Sequence, residues 1–209
     1  MSARPIVMST ISGRPTRLVD PVPDEVDFRD LADTLARIRR FGGAARKEVS
    51  VAQHSLIAAD CAPDILRPWV LLHDAHEWRM TDIPTPVVKA LSAIADEEFE
   101  KAGYESGYIL RSAIKSMKWR HDCAIHAAAR LPMPTPEQRV MIKRADFIAL
   151  ATERRDFCDR QHFRWEAEIE AATPLRRPQR LMSSEEAADR LYDEFRHWLP
   201  RFVELRRSA

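Results

Sequence analysis

Glycine is scarce in this chain, with five residues in 209 against fourteen prolines. Sheet-rich proteins of this length spend glycine on turns. The shortage argues against a sandwich or barrel and for helices with proline punctuation. Cysteine is scarce too. Cys61, Cys123 and Cys158 are widely spaced and odd in number. That spacing offers neither a disulfide framework nor a zinc ribbon, and it suits a reducing cytosol. Net charge is nearly absent, since 33 basic residues face 32 acidic ones. Without a global basic field, nucleic acid and membrane surfaces are not expected partners. No apolar run approaches membrane-spanning length, and the N-terminus lacks a charged-then-apolar signal pattern. The expected location is therefore the cytoplasm.

What is present is ordinary globular material, 45% hydrophobic and 31% charged, enough to bury a core. Residues 1–26 are proline-rich and polar and read as an irregular or hairpin-like N-terminal segment. Residues 27–173 carry most of the helical pattern. Asp27 caps a helix to about Arg40, which Phe41-Gly42-Gly43 ends. Ser50 caps a second helix to about Cys61. A third stretch, rich in Trp69, Val70, Leu71 and Leu72, runs into His73-Asp74. The prolines at 84 and 86 break it. Helices are expected over about 86–102, 105–131 and 135–158. Residues 174–209 hold an arginine-rich loop and a last amphipathic helix with a break at Pro200. Its Ala188, Leu191, Phe195, Trp198 and Leu199 pack on the core or on a second subunit. The expectation is an all-α bundle of six or seven helices.

Four segments carry the chemistry: His54, His73-Asp74 with Glu77, Asp82 in its proline loop, and Asp146. An ionised Asp directly after Trp-Val-Leu-Leu-His is costly to bury without a partner. A metal ion is such a partner. His54 precedes it on a neighbouring helix, and Asp146 lies in another apolar helix. Two imidazoles and two carboxylates without thiolate favour an open site for Mn²⁺, Co²⁺, Fe²⁺, Mg²⁺ or a catalytic Zn²⁺ over a closed structural zinc. Glu77, four residues after His73 and three after Asp74, would share their helix face and could orient or deprotonate a water. Asp82 could hydrogen-bond a sugar hydroxyl or act as a second acid–base group.

Each member also has a plain reading. His54 alone would be structural. Asp146 alone would pair with Lys143 or Arg144. Glu77 alone would be an exposed helix residue. His76 reads as a group beside the site or on the surface. His121-Asp122, a second His-Asp dipeptide, reads as a surface or partly buried structural pair. Arg176, Arg177, Arg180, Arg206 and Arg207 read as solvated surface rather than a nucleic-acid patch. The signal is the joint pattern.

That pattern resembles the HD superfamily of metal-dependent phosphohydrolases, most closely the small bacterial 5'-deoxynucleotidases and their phage-type relatives. The resemblance rests on Arg40-Phe-Gly42, Ser50-Val-Ala-Gln-His-Ser55, His73-Asp-Ala-His-Glu77 with Asp82-Ile-Pro-Thr-Pro86, and Arg144-Ala-Asp146. Ile11-Ser-Gly-Arg14 resembles the opening segment of the phage-type relatives. The similarity covers about residues 8–160. It implies a helical HD domain holding one divalent metal on His54, His73, Asp74 and Asp146. Glu77 and Asp82 would be the catalytic acids, with Asp82 also facing the sugar. Arg40 and Phe41 would contact the nucleotide. The deoxynucleotidases carry Trp where Phe41 stands, and Phe offers no N–H donor. The implied activity is hydrolysis of deoxynucleoside 5'-monophosphates by a metal-activated water. The alternative is a deoxynucleoside triphosphate triphosphohydrolase of the dATP-depleting type. A non-catalytic, metal-stabilised nucleotide-binding scaffold is the third reading. Relatives of this size are homo-oligomers, so one is expected.

Overall fold

The structure is a computed structural model, and it describes residues 4–103, 108–160 and 162–207. The chain is all-α apart from one hairpin. Among the described residues there are ten α-helices, more than the six or seven that periodicity suggests. The surplus comes from breaks. The third stretch divides into α3 (Arg67–Leu71) and α4 (Glu77–Met80), Pro200 separates α9 (Ser184–Trp198) from α10 (Pro200–Arg207), and α8 (Ala167–Ala171) is a single short turn. In the N-terminal segment, β1 (Val7–Ser9) pairs antiparallel with β2 (Pro15–Arg17), Met8 opposite Thr16.

Local capping chemistry sets several boundaries. Asp27 accepts from the Arg29 and Asp30 amides and starts α1 (Phe28–Arg37). Ser50 accepts from the Gln53 amide and starts α2 (Val51–Asp60). Thr135 and Gln138 form a capping box at α7 (Pro136–Phe157). Between these lie α5 (Thr85–Lys101) and α6 (Tyr108–Ala128). The expected start of that sixth helix near 105 lies outside the described residues.

Helix α2 is the hub. Every residue from Val51 to Ala59 is buried, because α1, α3, α7 and α9 all pack on it. A helix buried on all sides is normally apolar on all sides. Gln53, His54 and Ser55 break that rule, and their polar atoms need partners inside the protein. Gln53 finds them in the chain before α9, donating to the Arg180 carbonyl at 2.7 Å and accepting from the Met182 amide at 3.0 Å. His54 finds its partners in the site described below. The last helical segment packs on the core. Ala188, Leu191, Phe195 and Leu199 are buried, and Phe195 meets Phe28 of α1 edge-on at 5.6 Å. Arg176, Arg177 and Arg180 are exposed as expected, with Arg180 paired to Glu186.

The dipeptide His121-Asp122 is partly buried, one of the two placements expected of it. His121 is buried in α6 and donates through Nε2 to the Leu18 carbonyl at 3.1 Å. His126, one turn further on, is also buried and bonds the Pro132 carbonyl at 3.2 Å. Burial holds both imidazoles below their ordinary range, that is, neutral. The unfolded chain then binds more protons than the native one. This contribution to stability is present above the unfolded value of about 6.5 and is lost as pH falls through the lower folded value. Relative to a His126→Gln variant, wild-type stability in urea melts is expected to decline as pH drops from 6.5. A pH-independent difference between the two proteins would contradict this.

Candidate metal centre

The site forms where α2, the turn after α3 and α7 converge. His54 comes from the buried hub. His73 and Asp74 do not end a helix as expected. α3 stops at Leu71, and the chain winds on through turns to α4 at Glu77. The amide bonds there run to the third residue back: His73 to Val70, Ala75 to Leu72, Glu77 to Asp74 and Arg79 to His76. That is 3₁₀ winding, in which residues three apart eclipse. Asp74 and Glu77 therefore stack on one line, and His73 and His76 on the next. Asp146 enters from the middle of α7, buried except at its tip.

The four expected metal donors meet. His54 Nε2 lies 3.2 Å from His73 Nε2, 3.2 Å from Asp146 Oδ1 and 3.5 Å from Asp74 Oδ2. His73 Nε2 lies 3.3 Å from Asp74 Oδ2 and 3.9 Å from Asp146 Oδ1. Ligands about 2.1 Å from a common ion stand roughly 3–3.5 Å from one another. These spacings fit that pattern.

Proton bookkeeping sharpens the point. His73 Nδ1 lies 2.7 Å from the Val70 carbonyl, an oxygen that can only accept. His54 Nδ1 lies 2.8 Å from Glu153 Oε1, and Glu153 is fully buried. Nδ1 is therefore a donor on both rings, and Nε2 is the atom each ring turns to the cluster, a lone pair when the ring is neutral. With neutral rings the cluster is four acceptors facing one another, and a metal ion or added protons reconcile them. The proton equilibria carry the same demand. Burial and Arg40 pull the His54 imidazole down, yet Glu153 and Asp146 push it up to about 10. Burial likewise opposes the charged form of His73, and Asp74 overcomes it upward. Burial pushes the Asp74 carboxyl up, but His73, His54 and Arg40 hold it well below the usual range. Without a metal, protons supply the positive charge. The residues present thus fit a divalent ion.

Around this ring stands a second layer that sequence reading only half found. Glu153 lies in the charged run Glu153-Arg154-Arg155-Asp156, with nothing local to mark it as part of a site. It accepts from His54 through one oxygen and from Arg40 Nε at 3.1 Å through the other. Arg40 is buried, and its Nη1 reaches Asp74 Oδ2 at 3.6 Å. It sits behind the donors. Phe41 is half-buried beside it at φ 59°, in the left-handed region that costs a non-glycine residue about 1–3 kcal/mol. Its ring lies 5.5 Å from the Arg40 guanidinium and 5.7 Å from the Trp165 ring. Lys143 takes the outer oxygen of Asp146 at 2.7 Å, so the plain reading of Asp146 and the metal reading hold together.

Glu77 is buried at 6% exposure, and its Oε2 has no hydrogen-bond partner. Burial, then Asp74 and Asp82, push its carboxyl up to about 9. Asp82 is half-buried and is also raised, mainly by burial. It follows Thr81, whose φ of 60° and ψ of 167° fall in a region that β-branched residues avoid. That strained link returns Asp82 toward Arg40 and Asp74, close enough for both charges to act on it. His76 is not a surface group. It is 5% exposed, its Nδ1 lies 3.0 Å from Asp122 Oδ1, and its Nε2 is buried without a partner. A buried polar atom left unpaired costs on the order of 1–3 kcal/mol. A cleft of about 380 Å³ opens onto His73, Asp74 and Asp146, with Asp122, Arg139 and Lys143 on its walls.

Fold and site together define an all-α protein with a buried histidine–carboxylate cluster able to hold a metal ion. The chain belongs to the family of the uncharacterized protein RCAP_rcc00048 of Rhodobacter capsulatus, with which it is 32% identical over 154 residues, 68% of each chain. It is also 32% identical over 133 residues to the uncharacterized protein YfdR of Escherichia coli, a match covering 64% of this chain and 62% of that protein. No family model matches the chain. Among the described residues, no helix is long and apolar enough to cross a membrane.

Proposed function

We propose that the protein is a metal-dependent phosphohydrolase of the HD type, hydrolysing deoxynucleoside 5'-monophosphates to deoxynucleoside and phosphate. The supporting observation is the set of four mutually facing acceptors on His54, His73, Asp74 and Asp146. A single divalent ion, of Mn, Co, Fe, Zn or Mg, satisfies all of them. Bound there, it would polarise phosphoryl oxygens and acidify water.

The chain's own groups account for the rest. Arg40 locks Asp74 and Glu153 in place, and Glu153 fixes the His54 tautomer. Glu77, with its carboxyl pushed up to about 9, carries a proton at neutral pH and can pass it from Oε2 to a leaving alkoxide. Asp82 faces the sugar, and Phe41 offers a ring face to the base. Lys143 and Arg139 on the cleft wall attract the phosphate.

Those two cations also support a second reading, a deoxynucleoside triphosphate triphosphohydrolase. The other candidates for a triphosphate are Arg46, Lys47 and Lys89: Arg46 and Lys89 are paired with Asp159 and Glu166, and Lys47 lies over the Phe157 ring, while Lys143 is itself bonded to Asp146.

The deciding experiment is to strip the protein of metal, reload it with Mn²⁺, Co²⁺ or Mg²⁺, and assay deoxy- and ribonucleoside mono- and triphosphates. Orthophosphate from deoxynucleoside monophosphates is expected, and none from an Asp74→Ala control. Inorganic triphosphate would move the assignment to the second reading. No metal-dependent release from any nucleotide would overturn both.

A further inference from the structure

The outer layer of the site leads away from the metal donors to a pair of aromatic rings. Arg40 reaches Asp74 Oδ2 at 3.6 Å, and the Phe41 ring lies 5.5 Å from the Arg40 guanidinium. The Trp165 ring lies 5.7 Å from Phe41, tilted by 53°. Donor cluster, guanidinium and two rings thus follow one another outward. Phe41 packs partly against the hydrophobic core, but Trp165 lies outside it, half-buried on the short segment before α8.

That segment is held from two sides. The Trp165 amide donates to Glu170 Oε1 at 2.9 Å, and the same oxygen accepts from Arg154 Nη1 of α7 at 2.6 Å. Beside it, Lys89 of α5 pairs with Glu166 at 2.9 Å. Arg154 also lies over the Trp165 ring, 5.1 Å from its centroid. A guanidinium over one face steadies an indole and leaves its other face to a second planar group. On the Phe41 side, the left-handed turn continues into Gly42, which passes close to Pro84 (a Cβ at 42 would stand 3.6 Å from Pro84 Cγ). The loop that carries Asp82 therefore runs beside the Phe41 turn. A nucleotide with its phosphate at the donor cluster and its sugar at Asp82 extends its base toward the two rings.

We propose that Trp165 stacks on the base of the nucleotide together with Phe41, and that this pair selects nucleotides over base-free sugar phosphates. The proposal rests on the nucleotide reading of the metal site. The ligand class is a flat heteroaromatic ring, recognised by its face. Phe41 alone is a small platform, and Trp165 adds the larger π surface. Stacking strength grows with the face of the base and ignores its hydrogen-bonding edge. Purines are therefore preferred to pyrimidines, with little discrimination within either class.

The test compares deoxyadenosine 5'-monophosphate with 2-deoxyribose 5-phosphate, its base-free counterpart, on the Mn²⁺-loaded full chain. The readout is the ratio of the two kcat/KM values. Trp165→Ala is expected to lower that ratio roughly 5–150-fold, the loss of one base–aromatic contact, chiefly through a higher KM for the nucleotide. Trp165→Phe is expected to keep most of the wild-type ratio. An unchanged ratio in Trp165→Ala would overturn the stacking role and leave the hydrolase standing. No turnover of either compound by wild type would overturn the nucleotide reading, and the stacking role with it. Should Trp165→Ala fail to fold, fluorescence decides. Deoxyadenosine is expected to quench wild type more than Trp165→Phe, which lacks the stacked indole, and equal quenching would overturn the proposal.

Discussion

Glu153→Gln is expected to destabilise the metal-free protein by about 3–5 kcal/mol, the range for breaking a buried ion pair. It is also expected to weaken Mn²⁺ binding 10–100-fold. Glu153 has no solvent exposure and holds two donors at once, His54 Nδ1 and Arg40 Nε. An amide accepts through its oxygen but presents N–H groups on the other side. One of the two donors must then face another donor. If Arg40 loses its partner, a buried guanidinium is left with Asp74 at 3.6 Å. It would draw Asp74 away from the donor ring. If His54 loses its partner, the tautomer that exposes the Nε2 lone pair is no longer fixed. Urea denaturation of the metal-free variant and Mn²⁺ titration of the folded one read the two effects separately. A denaturation midpoint matching wild type would mean that Glu153 is not holding the two charged groups, and the account of the outer layer would fail.

The candidate donors were legible in the sequence for a physical reason. A His and an Asp at the end of Trp-Val-Leu-Leu, and an Asp inside the apolar stretch around Ile142 and Phe147, are out of place unless something pays for their burial. The caps were legible because Asp27 and Ser50 act on amides two or three residues away. Contacts across long separations were not. Glu153 meets His54 across 99 positions, and Asp122 meets His76 across 46. Nothing local to Glu153-Arg154-Arg155-Asp156 distinguishes the one carboxylate that turns inward. The winding of residues 72–77 was also hidden. The run of apolar side chains before it suits an α- and a 3₁₀-turn alike, and only the hydrogen-bond offset separates them. That offset decides whether Asp74 and Glu77 stand in line or splay apart, so the reading of Glu77 as a member of a shared α-helical face had to give way to the turn.

Asp74→Ala is expected to have the largest effect on the site, because three of its groups meet at this carboxylate. His54, His73 and Arg40 all lie within 3.6 Å of its Oδ2. Removing a direct donor should lower Mn²⁺ affinity by more than the roughly 100-fold upper bound for an outer partner. Metal-dependent phosphate release should fall by on the order of 10³-fold, comparable to losing a main group that stabilises developing charge. A second consequence appears in the metal-free protein. Burial, Asp74 and Asp82 together raise the Glu77 carboxyl to about 9. Taking away Asp74 removes one of the two like charges, so Glu77 should titrate lower, while burial and Asp82 still keep it above an ordinary glutamate. The raised folded value means that Glu77 favours the native state below its unfolded value of 4.5, and that this support is lost as pH rises through about 9. In the variant the loss should be smaller and should finish at lower pH. Carboxyl-carbon NMR titration of Glu77 in wild type and variant reads the shift directly. If Glu77 titrates at the same pH in both, Asp74 does not act on it, and the stacking of the two carboxylates along the turn is not the source of its altered acidity.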